Sequence, residues 1–568
     1  MRTVIILLFI FNVFSASAQL YQTETYPKGY FRNPLDIPIS LSGNFGELRP
    51  NHYHMGLDIR TNKVENLSVR AAADGYIARI KVEPGGFGRA IYVNHPNGYT
   101  TLYAHLNTFF PALEQYVKEQ QYQRESWSIY IELPPTMFPV KKGDFIARSG
   151  STGGSQAPHL HFEVRRTVDD VNINPMLLGL PLADNTRPVV LRLGIYDRTK
   201  STYEQSPRIL PVKKQGNNFI ISSATIQVSS PKISFAIGAY DTHSGSTNQN
   251  GIFETILYDN GNVAGGFKMN NISYEGTRSL NAHIDYRLRS AGGAYLQHLS
   301  RLPGYRNSIY RTLPNDGIID VSDGEEHAIR IEVLDGYGNK SELKFVVKYN
   351  GAKTVTPELP GKMFYPMMVD GFETTDCEFF IGENTLYDSA HINYSKTNSL
   401  DPAGVSLVHK IGSPSIPIAD SLVVRIRPSR ELSSEEANHI IMKRISGSRT
   451  EVQKVEWNNG MAKASFREFG NFQLMLDLEE PVIVPVGFRD GSDLSKASRI
   501  VIAVKDNFNE FKNFRAELDG KWLRFTNDKG RSFIYHFDEK CPRGNHVLKV
   551  TVEDEAGNRG EKNFNFRF

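Results

Sequence analysis

The 568-residue chain has only two cysteines, Cys377 and Cys541. They are too distant in sequence for a disulfide scaffold and too few for a cysteine-built zinc ribbon. They read as structural thiols or, at most, a single bridge. Excess charge is lacking as well: 65 Lys+Arg against 62 Asp+Glu leave a formal +3. Such a balance offers no electrostatic footprint for nucleic acid or an anionic membrane surface. No stretch reaches the ~18 uninterrupted apolar residues that a membrane-spanning helix needs. The glycines of 150–154 lack a following Gly-Lys-Ser/Thr, which argues for a turn and against a phosphate loop.

What is present points to β structure. Forty-six Gly and 29 Pro supply many turns, and 40% hydrophobic residues with 11% aromatics exclude general disorder. At about 150 residues per domain, the length predicts three to four domains. Residues 1–18 read as a cleaved export leader, with Arg2, an apolar run from Val4 to Phe14 and Ala16-Ser17-Ala18 before Gln19. An exported, periplasmic or envelope-associated chain of net charge +2, without a membrane span, is expected. Residues 19–184 form the next unit, in which short strand-like runs alternate with glycine turns. Within it, 107–139 reads as an insertion, with a helix from Pro111 to Gln120 and an alternating strand over 126–133.

After residue 184 the texture is all-β. His327-Ala-Ile-Arg-Ile-Glu-Val-Leu-Asp-Gly-Tyr-Gly-Asn339 is echoed by His546-Val-Leu-Lys-Val-Thr-Val-Glu-Asp-Glu-Ala-Gly-Asn558, and Ile233–Asp241 loosely by Ile500–Asp506. Strand, Asp-x-x-Gly-Asn turn, strand is a hairpin at the end of a β-sandwich. Immunoglobulin-like domains are therefore expected over 185–350 and 481–568, around a third β-rich unit over 351–480. A linker is expected over 353–360. Arg430 to Glu436 reads as the cap of a short helix, and His409 and His439 stand isolated. The terminal Phe568 carries no barrel signal, because no barrel-like strand series precedes it.

Six of the 15 histidines fall between residues 52 and 161. His54 and Asp58 are four apart, a spacing that shares a face in a strand or a helix. His159-Leu160-His161 lies in a strand-like run, where period two aims both imidazoles one way. His105 closes another strand. Two histidines and an aspartate suit a catalytic zinc, which takes three protein ligands and keeps a position for water. Two further histidines would remain for acid–base work. His52 lacks the spacing to Asp58, and His95 sits in an Asn-His-Pro-Asn-Gly turn, so both read as structural. No His-Glu-x-x-His helix occurs, which excludes the thermolysin-type arrangement.

These landmarks belong to a longer series. It runs Phe45-Gly46, His54-x₃-Asp58, Val69-x-Ala71 with Asp74-Gly75, Phe87-Gly88, Asn94-His95, Gly98-x-x-Thr101-x-Tyr103-x-His105-Leu106, Val140-Lys-Lys-Gly143-Asp, Gly150-Ser-Thr-Gly153 and Pro158-His159-Leu-His161-Phe-Glu163. In order and type, Ser42 to Pro175 resembles the lysostaphin-type (LytM-like) zinc metalloendopeptidases. The resemblance implies a mainly β chain whose N-terminal domain is compact and mostly antiparallel, of the duplicated-hybrid-motif type, with one zinc in a narrow groove. It implies His54, Asp58 and His161 as zinc ligands, and His159 and His105 as the acid–base and transition-state-stabilising histidines. It implies peptidoglycan stem or cross-bridge peptides as substrate. The alternative it leaves open is a non-catalytic, peptidoglycan-binding activator of cell-wall amidases. The insertion follows His105 directly, so it is expected to shape or cover part of the cleft. The β-rich remainder is expected to hold the peptidase at the wall or against an envelope protein.

Overall fold

A computed structural model describes residues 24–568 except 224, 352–357 and 531. The expected leader over 1–18 and most of the expected linker over 353–360 lie outside the described residues. The chain is mainly β, and among the described residues there is one long helix, Pro111–Gln123. Among the described residues no helix is long and apolar enough to cross a membrane.

The N-terminal domain rests on an antiparallel sheet. Its strands run in the order Leu41–Gly43, Leu57–Arg60, His159–Arg166, Tyr99–Ala104, Arg89–Asn94, Gly75–Val82 and Ile129–Glu132. A smaller sheet joins Ser68–Arg70, Phe145–Ser149 and Leu106–Phe109. The two share a core that includes Ile59, Tyr103, Leu160, Phe162 and Val164. Period two then decides the chemistry of the other face. With Leu160, Phe162 and Val164 turned inward, His159, His161 and Glu163 must turn outward together.

The insertion is a helix and a strand, as its sequence pattern predicts. Pro111 occupies the first helical turn, where its missing N–H removes no helical bond. Leu113 and Val117 face the core. The insertion does not cover the groove described below; it meets the C-terminal domain. Lys118 pairs with Asp538 (2.9 Å) and Glu539 (2.6 Å), and Arg524 donates to Gln121 (2.9 Å). Direct sequence adjacency to His105 was a poor guide, because Leu106–Phe109 carries the chain away into the smaller sheet.

The hairpin expected from the first Asp-x-x-Gly-Asn turn pairs Glu326–Leu334 with Lys340–Tyr349 in one sheet, while Val189–Asp197 and Lys232–Tyr240 lie in another. Its counterpart pairs Asn545–Asp554 with Arg559–Arg567. There the two sheets enclose a core of Ile500, Ile502, Phe533, Leu548, Val550 and Phe564. Between them lie two five-stranded sheets within 370–476. The Arg430–Glu436 run does cap a short helix: Ser433 and Glu436 form a reciprocal capping box. Cys377 and Cys541 are both buried, free thiols in separate cores.

Candidate active site

Register builds the centre of the site. In the antiparallel pairing of Leu57–Arg60 with His159–Arg166, His161 stands directly opposite Asp58, on one face. His161 Nδ1 lies 3.0 Å from Asp58 Oδ1, and His159 Nε2 lies 3.3 Å from the same oxygen. His54 arrives differently from either spacing considered above. It sits in the turn before the strand, held by the backbone pairs His54 N to Glu47 O (2.9 Å) and Gly46 N to His54 O (2.8 Å). Its Nε2 reaches Asp58 Oδ1 at 2.9 Å and His161 Nδ1 at 3.1 Å.

These three atoms stand 2.9–3.1 Å apart. The edge of a tetrahedron with metal–ligand bonds of about 2.0–2.1 Å is about 3.3 Å. The remaining nitrogens are already committed. His54 Nδ1 donates to the Asn44 carbonyl (2.7 Å), and His161 Nε2 donates to Glu163 Oε1 (2.9 Å). Once a metal displaces the proton at His161 Nδ1, both imidazoles would present a lone pair to the shared point, the arrangement a second layer of acceptors produces around metal-binding histidines. The donor set fits a divalent metal such as zinc.

Glu163 is fully buried, and its charge is spread over several donors. They are His161, Tyr274 Oη (2.5 Å), Asn172 Nδ2 (2.7 Å) and Arg165 Nε (2.8 Å). Burial alone would raise its pKa, yet Arg165, His161 and Tyr274 bring it down to about 2. Burial likewise opposes the charge on His161, but Asp58 and Glu163 lift it to about 9.

His105 lines the same wall, its ring centroid 4.7 Å from that of His159. Its backbone is left-handed (φ 60°), at the point where the chain leaves one sheet for the other. Nδ1 donates to the Thr152 carbonyl (2.9 Å), which leaves Nε2 with its lone pair. Burial and the neighbouring His161 and His159 push its pKa down to about 3, so the ring is neutral at ordinary pH. The Thr152 loop approaches because Gly88 and Gly153 lack side chains. A Cβ on Gly153 would stand 2.2 Å from Gly88 N. His159 Nδ1 donates to Ala157 O (2.9 Å), so its Nε2 is the nitrogen turned to Asp58.

The groove over these groups has a volume of about 1580 Å³ and is lined in part by Tyr274 and Glu275 of the following domain. Residues 107–139 line none of it. His52 is exposed against Pro50 O, and His95 is a buried strut between Asp74 O (2.8 Å) and Thr101 Oγ1 (2.8 Å). Sequence reasoning missed Arg49, whose Nη2 lies 3.0 Å from Asp58 Oδ2 while its Nε pairs with Glu47 (3.1 Å). It also missed Tyr274, which no local pattern connects to Glu163.

Comparison with known proteins finds relatives of the N-terminal domain. The family model described as Peptidase family M23 matches residues 52–122 and 137–175, the gap falling within the insertion. A second, described as Zu5-like domain, matches residues 362–477. The chain is 31% identical over 182 residues to an uncharacterized metalloprotease of Haemophilus influenzae, covering 30% of this chain and 32% of that protein. It is 30% identical over 174 residues to the DD-carboxypeptidase/endopeptidase Mpg of Neisseria meningitidis serogroup B, covering 31% of each. It thus spans about a third of the length of these curated relatives. Among solved structures, the catalytic domain of a prophage-encoded M23 protein from Enterococcus faecalis matches at 18% identity. That match covers 26% of this chain and 96% of that one, with a TM-score of 0.19.

Proposed function

The chain carries a lysostaphin-type peptidase domain of family M23, and from that premise we propose that it is an exported zinc endopeptidase that hydrolyses peptide bonds in peptidoglycan stem or cross-bridge peptides. The observation that carries this reading is the convergence of His54 Nε2, Asp58 Oδ1 and His161 Nδ1 beneath an open groove. These three would hold the zinc, which would supply Lewis-acid chemistry and activation of water when bound.

The chain's own groups do the rest. His105 Nε2, neutral and unprotonated, is placed to accept a proton at the groove wall. His159 keeps its Nδ1–H on Ala157, so its Nε2 faces the reacting centre, where in the protonated state it donates to developing negative charge. Glu163 fixes the His161 ring so that Nδ1, and not Nε2, faces the metal position. Export to the periplasm or envelope rests on the leader pattern of residues 1–18.

The test is metal analysis together with digestion of purified sacculi by the chain from residue 19 onward. One equivalent of zinc and new amine termini are expected, both lost in His161→Ala. Mass spectrometry of the released muropeptides then names the bond. Stoichiometric zinc with no new termini would overturn the hydrolase reading, and enhanced amidase activity in the same assay would favour the activator alternative.

A further inference from the structure

The two hairpins repeated in sequence also repeat a cluster of acids. Asp335 Oδ1 accepts the amides of Tyr337 (2.9 Å) and Asn339 (2.8 Å). Asn339 Nδ2 then joins Asp335 Oδ2 (2.7 Å) to the carbonyl of Asp184 (3.1 Å). In the C-terminal domain Asp554 Oδ1 accepts the amides of Gly557 (2.7 Å) and Asn558 (2.8 Å). Asn558 Nδ2 joins Asp554 Oδ2 (2.8 Å) to the carbonyl of Asp477 (3.0 Å). Asp184 and Asp477 each stand where the chain enters a sandwich from the preceding domain. A third acid follows a core strand in both: Asp241 after Lys232–Tyr240 and Asp506 after Arg499–Lys505.

The hydrogen bonds around the first cluster leave a gap. Asp241 is 1% exposed, and its Oδ1 has no hydrogen-bond partner. The charges that act on it are those of Asp335 and Asp184, both negative. Asp184 Oδ1 is taken by Thr186 N, Ser244 N and Ser244 Oγ, and its Oδ2 faces His243 Nδ1 at 3.2 Å. Ligand atoms of Asp184, Asp241 and His243 lie within 4.8 Å of one another. A proton on Asp241 Oδ1 would not close the gap, because it would be a buried donor without an acceptor. A cation would.

We propose that Asp184, Asp241 and Asp335 hold a calcium ion at the junction between the peptidase domain and the first sandwich. Two features select calcium. In the second copy Asp477, Asp506 and Asp554 bring ligand atoms within 4.8 Å of one another. In the first, Asp184 and Asp241 take the first two places and Asp335 holds the place of Asp554 in the repeated hairpin, so the donors shared by the two copies are carboxylates, the ligand class of a hard cation. His243, whose Nδ1 faces Asp184 and whose Nε2 is buried without a hydrogen-bond partner, is peculiar to the first copy and so stands outside the shared donor set. Bound there, the ion ties the incoming segment at Asp184, the strand end at Asp241 and the hairpin turn at Asp335 into one unit. Burial beside Asp335 and Asp184 pushes the Asp241 carboxyl up to about 8, the response of an acid cluster that lacks its counter-charge.

The experiment uses the full chain from residue 19, stripped of metal, in wild-type and His161→Ala forms so that the peptidase centre is outside the count. Calcium is titrated by calorimetry and by thermal melting. Binding at millimolar calcium or tighter is expected in both forms, with a rise of a few degrees in Tm. Asp241→Asn loses one equivalent of calcium and, with it, the rise in Tm that this calcium gives. Should Asp241→Asn not fold, Asp335→Asn, which keeps the turn's acceptor, reads the same lost equivalent. Absence of calcium binding, or full stoichiometry in both variants, overturns the proposal. So does an equivalent of zinc, with calcium inert, that Asp241→Asn removes.

Discussion

The two sandwiches share a hairpin and an acid cluster, but they meet the peptidase domain through different physics. The first is fused to it by an apolar core. Phe45, Tyr53 and Met55, from the segment that carries His54, are buried in one cluster with Ile252, Met269, Ile272 and Leu302. The C-terminal domain meets it mainly through polar groups, with one aromatic contact, the Tyr122 ring against Trp522 (5.2 Å between centroids). Lys118 pairs with Asp538, Arg515 pairs with Glu125 (2.7 Å), and Lys529 Nζ donates to the carbonyls of Ser151 (2.6 Å), Gly153 (3.0 Å) and Ser155 (2.5 Å). Apolar burial scales with area and resists salt, whereas partly exposed ion pairs contribute about 0–1 kcal/mol each and are screened. The first sandwich is therefore part of the active site's structure, and the C-terminal domain is a clamp on its rim.

Tyr53→Ala is the severest way to break that contrast. Tyr53 is fully buried, and its hydroxyl lies 3.1 Å from that of Tyr305. Truncation should cost about 3–5 kcal/mol, read by denaturant unfolding, with zinc affinity falling as His54 loses its support. Unchanged zinc affinity in a folded Tyr53→Ala protein would show that the His54 turn stands without the sandwich. A milder probe is Tyr274→Phe, which removes one donor to Glu163. Zinc affinity should fall by about 10-fold with little change in melting temperature, the effect of an outer partner on a ligand.

Weaker still is Lys529→Met. It should change the unfolding free energy of the peptidase domain by about 1 kcal/mol. Lys529 meets neutral carbonyls and not a carboxylate, so the difference between wild type and variant should change little with salt. Its three acceptors lie on the turn that also holds Thr152 O against His105, so sacculus digestion should rise or fall with clamp occupancy. A loss of several kcal/mol would show that more than these hydrogen bonds depends on Lys529.

Legibility from sequence followed the range of the interaction. His159 and His161 could be read as a facing pair because strand period is local, and Leu160 and Phe162 declare which face is inside. The hairpins at Asp335 and Asp554 were legible for the same reason: turn chemistry sits within five residues. The pairing of His161 with Asp58 needs a register across 103 residues, which only the family series of motifs supplied. The insertion shows the limit most plainly. Its elements were readable, but its partner lies some 400 residues onward, and nothing in Lys118 or Gln121 announces Asp538 or Arg524. Tyr274 escaped likewise, since a lone aromatic in a loop carries no period.

The smallest predicted effect tests whether the two sandwiches are as alike as their hairpins. His327 opens the first hairpin and His546 the second, and each meets a carboxylate. His327 Nδ1 lies 2.9 Å from Asp259 and its Nε2 3.2 Å from Asp323. His546 Nδ1 lies 2.7 Å from Asp519, and its Nε2 donates to the Pro542 carbonyl (2.7 Å). Burial opposes protonation in both, but acceptors on both nitrogens favour the imidazolium, and both pKa values lie above the usual 6.5. A raised histidine pKa stabilises the fold fully below pH 6.5, and that contribution fades as pH rises through the folded value. His327→Gln and His546→Gln should therefore melt below wild type at acid pH and approach it at alkaline pH, with calcium held constant. Asp323 and Asp519 are more than half exposed, so each difference should stay within about 1 kcal/mol and shrink with salt. His327 faces two carboxylates and His546 one, so the pH-dependent part should be larger for His327→Gln. The opposite order would mean that carbonyl acceptance and burial, and not carboxylate charge, set the protonation of these paired positions.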